Sequence, residues 1–270
     1  PNNPLTARVA VNRIWQHLFG EGIVRTVDNF GITGERPNNL ALLDHLALKL
    51  IEKDWSVKGM IKEIMLSRAY QMSSAFDEKN FNIDAENRMV WRQNQRRLEV
   101  EAIRDAMLMA AGELDLEPVE GSPVQKLAIG EINGKGSSFD SDKQLQSKRS
   151  VYIPIVRSSL PGMLKRSDFP DPRLVNGARD VTTVASQALF MMNSGFVLEQ
   201  SQATAARLLK DEKDDAARVD LAYMRTLGRP ASSAERDRAV KFVESYKDRS
   251  EGWTTLCQTL FACAEFRYLN

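Results

Sequence analysis

The chain has 270 residues, 43% of them hydrophobic and 27% charged, with a formal net charge of +1 at pH 7. That is the composition of a soluble globular protein with ample core, in one large domain or two small ones. The near-neutral balance argues against nucleic acid and against an anionic membrane as partners, and no run approaches the roughly 18 apolar residues of a membrane span.

The first residues read PNNPLTARV, without an initiator methionine or a signal peptide, so a piece of a longer protein is expected. Asn3 to Gly20 (NPLTARVAVNRIWQHLFG) is predicted to be the opening helix, with Asn3 as cap, Pro4 in the first turn and Gly20 at its end. Ala7, Ala10, Val11, Ile14, Trp15 and Leu18 share one side. The other side carries Arg8, Asn12, Arg13, Gln16 and His17 and no carboxylate, so both sides are expected to be covered. Buried unpaired arginines are costly, and Glu101, Asp105 and Asp180 are the expected partners of Arg8 and Arg13. Residues 21–38 are rich in turn formers and should wrap this helix.

Helices are predicted from about Leu40 to Lys53, capped by Asn39, and from after Ser56 to about Tyr70. From Asp84 the pattern is again helical, which would set Arg88, Arg92 and Arg96 in a stripe. A stronger helix spans about Leu98 to Ala111 and ends at Gly112. Residues 117–148, dominated by Gly, Ser and Lys, read as a long irregular and protease-sensitive loop. Ser150 to Val156 (SVYIPIV) is the one strand signal, and Pro154 suggests an edge or a small ribbon. Thr182 or Thr183 would cap a short apolar helix (VASQALFMMN), followed by helices over about 196–209, 214–227, 232–246 and 253–268. Ser232 and Glu235 supply a capping box for the third of these. The expected fold is therefore mainly α, a multi-helix array with a minor β-ribbon near 150–156 and the loop at 117–148. One domain over 1–270 is expected, with a possible division into 1–116 and 149–270 around that loop. Cys257 and Cys263 point about 240° apart on one helix, which disfavours a disulfide. Neither stands in C-x-x-C-H, so no covalent haem is expected on this chain.

The order of segments resembles a bacterial domain of unknown function. NPLTARVAVNRIWQHLFGEGIVRTVDNFG, DWSVKGMIKEIMLSRAYQMSS, RRLEVEAIRDAML, RSVYIPIVRSSLP, DFPDP, RDVTTVASQALFMMNSGFV, LGRPASSAER and WTTLCQTLFACAEFRYLN carry the likeness. The resembled domain forms the C-terminal part of large exported, cytochrome-c-associated proteins of planctomycetes and related bacteria. The resemblance implies export to a periplasmic-type compartment, a multi-domain parent with haem c elsewhere in it, and neighbouring domains as partners. It implies no reaction.

Candidate site residues are few. His17 and His45 are the two histidines. His17, with Arg13, is a candidate general base, against the reading of a hydrogen-bonded structural histidine. With no thiolate pair beside them, a zinc site is not expected. Glu101 and Asp105 lie one turn apart near Arg97 and could serve acid–base chemistry or bind Mg²⁺ or Ca²⁺, or simply form an ion-pair network. Arg179, Asp180 and Thr182 precede a helix start, where an anion could bind or where Asp180 and the threonines merely cap. Three functions follow: a non-catalytic interaction and scaffold module, a hydrolytic or polysaccharide-processing domain with His17, Arg13, Glu101, Asp105 and Asp180 as candidate residues, or a carbohydrate- or sulfate-binding module using exposed Trp and Arg, with Arg97, Arg179 and Thr182 as candidate binding residues and acidic or sulfated carbohydrate as the partner. The first is the preferred reading.

Overall fold

The structure is a computed structural model that describes residues 3–122, 147–156 and 160–269. Twelve helices and a two-stranded antiparallel ribbon form among them. Contacts divide the chain into two compact units. The first comprises Pro1–Arg96, Asn176–Ala178 and Leu269–Asn270, and the second Arg97–Val175 and Arg179–Tyr268.

In the first unit, α1 (Pro4–Phe19) begins where the Asn3 side chain accepts the Leu5 N–H and ends at Gly20, whose φ of 89° a side chain would resist. Its apolar side, Ala7, Val11, Trp15 and Phe19, packs with Leu43, Leu46 and Leu50 of α2 (Leu40–Glu52) and Met60 and Ile64 of α3 (Val57–Met65). Trp15 stacks on Phe19 with centroids 4.0 Å apart. The polar side is covered only in part: Arg13 and His17 stay exposed, against expectation, while Arg8 and Gln16 are half-buried. Asn12, wholly buried, donates to the Val24 carbonyl at 2.9 Å and accepts the Val24 N–H at 2.8 Å, as a paired strand would. Gly22 is required beside it, because a Cβ there would lie 2.4 Å from the Val24 carbonyl oxygen. The loop over 21–38 thus seals one flank of α1 and buries Ile23, Val24 and Val27.

The segment after Asp84 is not the predicted helix, and its arginines form no stripe. It follows α4 (Glu78–Ile83). Asp84 accepts the N–H groups of Arg88 and Met89, while the Asn87 side chain bonds Trp91 N–H and the Arg92 carbonyl. Such side-chain bonds compete with helix hydrogen bonding and hold the chain in turns. Arg88 pairs with Glu86, Arg92 lies over Trp91, and Arg96 donates to the His17 carbonyl at the C-terminus of α1.

In the second unit, α5 (Val100–Ala111) and α11 (Arg249–Ala262) both pack on α8 (Gly195–Asp211). One cluster gathers Val100, Ile103 and Met107 of α5 with Val197, Phe261 and Phe266, the last on α12 (Ala264–Arg267). A second gathers Leu208, Val219 of α9 (Asp215–Leu227), Val243 of α10 (Ser233–Glu244) and Trp253. The Ser232–Glu235 capping box forms as predicted.

The predicted ribbon at 150–156 is corrected: Ser150–Tyr152 is a single 3₁₀ turn. Asp105 captures the Ser150 N–H, and the Ser150 carbonyl accepts the Ile153 N–H, so neither backbone group is left for a strand ladder. The ribbon instead pairs β1 (Arg96–Arg97) with β2 (Tyr268–Leu269). Most of the 117–148 loop lies outside the described residues. At its edges Asp115 bridges to Lys148.

Candidate functional site

The polar groups singled out in the sequence gather chiefly in the second unit, around a residue not among them. A short helix, α6 (Gly162–Arg166), runs out at Ser167, and Asp168 follows with φ 58°. Aspartate tolerates that left-handed conformation when its carboxylate bonds nearby backbone. Here the Oδ1 of Asp168 accepts the Thr182 hydroxyl at 2.6 Å. Its Oδ2 accepts the Thr182 N–H at 3.0 Å, the Gln187 amide at 3.2 Å and an Arg97 Nη at 3.2 Å. Arg97, its side chain only 8% exposed, also donates to the Thr182 carbonyl. Burial pushes the Asp168 carboxyl up, but the Thr182 and Gln187 hydrogen bonds and the Arg97 charge together outweigh it and hold the group below the usual aspartate range.

Beside this cluster the Arg179 guanidinium forks onto Glu101 with bonds of 2.7 and 2.9 Å, with Glu99 at 3.6 Å. It lies over the Phe169 ring, 5.3 Å from the centroid. The Glu101 hydrogen bond raises the affinity of Arg179 for its proton against the opposing effect of burial. One turn along α5, Asp105 takes another set of partners: the Ser150 N–H at 2.8 Å and hydroxyl at 2.6 Å. Arg104 reaches Ser150 and the Lys148 carbonyl. The i, i+4 carboxylates therefore diverge in what they hold.

Thr182 does not cap the following helix. α7 (Ala185–Asn193) starts at Val184, which supplies no side-chain cap, because the Thr182 hydroxyl is committed to Asp168. Asp180 is exposed and makes no side-chain hydrogen bond or ion pair among the described residues.

His17 and Arg13 belong to the first unit. His17 is exposed, as is His45, and it meets Arg96 through its carbonyl rather than its ring. Arg13 pairs with Asp28 at 3.7 Å and Arg8 with Asp44 at 2.6 Å, in place of the expected Glu101, Asp105 and Asp180. Those expected partners fail because nearer carboxylates, on the wrapping loop and on α2, reach α1 first. Among the described residues no group of three or more His, Cys, Asp or Glu side chains is placed to hold a metal ion. No helix among them is long and apolar enough to cross a membrane.

A protein-family model, PSD1, described as a protein of unknown function (DUF1553), matches residues 1–243. The chain belongs to that family. No curated protein and no solved structure matches it. The DUF1553 match takes in Arg97, Glu101, Asp105, Asp168, Arg179, Thr182 and Gln187, and leaves α11 and α12 outside.

Sequence reasoning missed Asp168 and Gln187. The signals were present: an aspartate flanked by turn-forming residues in RSDFPDP, and an amide set among apolar residues in VASQALF. Neither has a periodic partner, so nothing local marks them as a pair.

Proposed function

We propose that this domain is a non-catalytic interaction and scaffold module, docking on neighbouring domains of a larger exported bacterial protein associated with cytochrome c. The observation that carries the reading is the set of exposed large apolar side chains that the second unit carries between positions 174 and 192: Leu174, Val175, Val181, Leu189 and Met192. Covering exposed apolar side chains removes them from water, which favours contact at such positions. The state of the carboxylates supports the same reading. Acid–base catalysis wants a group whose pKa lies near the working pH. Asp168 is held low by four donors, Glu101 is taken up by a forked arginine, and Asp105 anchors a backbone turn. These are the marks of groups that fix a surface. The export and the cytochrome link rest on the resemblance of the whole chain, and any haem c would sit elsewhere in the parent.

The test is titration of this domain with the separately produced neighbouring domains of its parent. Leu189→Asp and Met192→Asp, both at exposed positions of α7, are expected to weaken association about tenfold or more while leaving the circular dichroism spectrum unchanged. Absence of association, or association that both variants leave intact, would overturn the proposal.

A further inference from the structure

The helix α4 buries none of its six residues, although it carries Phe81 and Ile83. A helix this short is marginal in water by itself and owes its stability to what packs on its apolar side. Phe81 is 39% exposed and Ile83 73%, and Phe76, just ahead of the helix, is 61% exposed. The rings of Phe76 and Phe81 meet with centroids 5.3 Å apart. The apolar side of α4 is thus open, and an exposed ring from outside the helix extends it.

The second observation is Arg92. Its guanidinium lies 5.8 Å from the Phe76 centroid and 4.8 Å from that of Trp91. The Trp91 ring is pinned, since its Nε1–H donates to the Asp84 carbonyl at 2.8 Å. Phe81, Phe76, Arg92 and Trp91 therefore form one connected row. Stacking orders a guanidinium but leaves its in-plane N–H groups to be met. Among the described residues the Arg92 side chain makes no ion pair and no hydrogen bond: its Nε is buried without a partner, and both Nη groups remain open to water. The carboxylates nearby in the chain are engaged elsewhere. Glu86 pairs with Arg25 and Arg88, Asp84 accepts the N–H groups of Arg88 and Met89, and Asp77 caps α4. Glu78 is exposed and does not reach Arg92.

What completes such a row is a carboxylate flanked by apolar side chains. The carboxylate accepts two parallel bonds from the Arg92 fork, and the rings take its apolar neighbours out of water. Aromatic side chains together with arginine are what protein contact sites concentrate. A sugar fits less well, because Arg92 already occupies one face of Phe76 and Phe81 is tilted 51° to it, so the rings share no plane on which a pyranose would lie. We propose that α4 and the row from Phe76 to Arg92 dock an acidic, apolar-rich segment of a partner protein, its carboxylate on Arg92 and its apolar side chains on Phe76 and Phe81. These residues belong to the first unit, so the inference does not rest on the surface between positions 174 and 192.

Amide chemical-shift titration of the full chain tests this with a short blocked peptide in which glutamate alternates with leucine and phenylalanine. It is expected to move the Phe76, Phe81 and Arg92 amides and the Trp91 indole. It should bind about tenfold more tightly than a counterpart with glutamine for glutamate, or one with serine for the apolar residues. Arg92→Ala is expected to weaken binding about tenfold, as for loss of charged hydrogen bonds. Phe76→Asp, exposed and outside the helix, gives the same loss where Arg92→Ala disturbs the turn, and Leu189→Asp leaves binding unchanged. Absence of binding overturns the proposal, as do equal binding of the glutamine counterpart and binding that both Arg92→Ala and Phe76→Asp leave intact. Tighter binding of a sulfated oligosaccharide at the same amides overturns it in favour of a glycan. A dimer in sedimentation that Arg92→Ala dissolves overturns it in favour of a second copy of this chain.

Discussion

Removing the Asp168 carboxylate tests the polar cluster at its hub. Asp168→Ala takes a partner from the Arg97 guanidinium, the Thr182 N–H, the Thr182 hydroxyl and the Gln187 amide. Breaking a buried ion pair costs about 3–5 kcal/mol when the remaining charge is stranded. Arg97 keeps the Thr182 carbonyl, and Thr182 is exposed, so water can replace part of what is lost. That sets the loss at the lower end, about 3 kcal/mol. Alanine held at a left-handed φ adds about 1 kcal/mol, whereas Asp168→Asn tolerates that backbone and loses chiefly the charge, about 2–3 kcal/mol. In a unit of this size each kcal/mol moves the melting temperature by about 2–4 °C, so Asp168→Ala is expected to melt about 10 °C lower. Circular dichroism melts supply the shift, and hydrogen exchange in α5 and α7 shows whether it belongs to the second unit.

The dependence on pH has a definite sign. The folded-state carboxyl lies below the ordinary aspartate value of 3.8. Its contribution is therefore complete above that value and is lost as pH falls through the lower folded-state one. The gap between the unsubstituted chain and Asp168→Asn should close on acidification below about pH 4. A melt of Asp168→Ala within about 2 °C of the unsubstituted chain, or a gap that does not narrow in acid, would refute the reasoning.

Asn12→Ala strands the N–H and carbonyl of Val24 and opens a void beside α1, an expected loss of about 2–4 kcal/mol in denaturant unfolding. A loss under about 1 kcal/mol would mean that water enters and serves Val24 instead. Arg13→Ala breaks a long, half-exposed pair with Asp28 and should change stability by less than about 1 kcal/mol, measured in the same way. The buried Cys257 thiol, pushed up to about 12 by burial, should resist Ellman's reagent at mildly alkaline pH in the folded chain, while the half-buried Cys263 reacts. Reaction of both before unfolding would place Cys257 within reach of solvent.

Caps made of residues two or three positions apart were legible in the sequence, because everything they need is local. Asn3, Asn39 and Ser232 each accept the N–H their spacing predicts. Arg8 and Arg13 do find carboxylates outside α1, as the lack of acidic residues on that helix requires, but which carboxylates was not readable. Asp44 and Asp28 are chosen by how α2 and the wrapping loop lie on α1, which the periodicity of α1 does not contain. The segments 84–96 and 150–156 misled for a related reason. Helix and strand propensity there is real, but Asp84, Asn87 and Asp105 take the backbone groups that a helix or a ladder would need. Asp168 was invisible as a hub because Arg97 stands 71 residues away and Thr182 stands 14 away, across an irregular stretch with no period.

The first unit is discontinuous in the chain: Asn176–Ala178 belongs to it although the residues on either side belong to the second. The Gly177 N–H donates to Asp28 at 2.6 Å across 149 residues of intervening chain. During synthesis, then, the helices of the first unit can assemble early, with Arg13 already beside Asp28, while the backbone donor of Gly177 emerges much later. Closing so long a loop costs little more free energy than closing one of half its length, since the entropy grows only with the logarithm, but it delays completion. A cut after Arg96 would release a piece that contains all four of its helices and lacks its last hydrogen-bond donor.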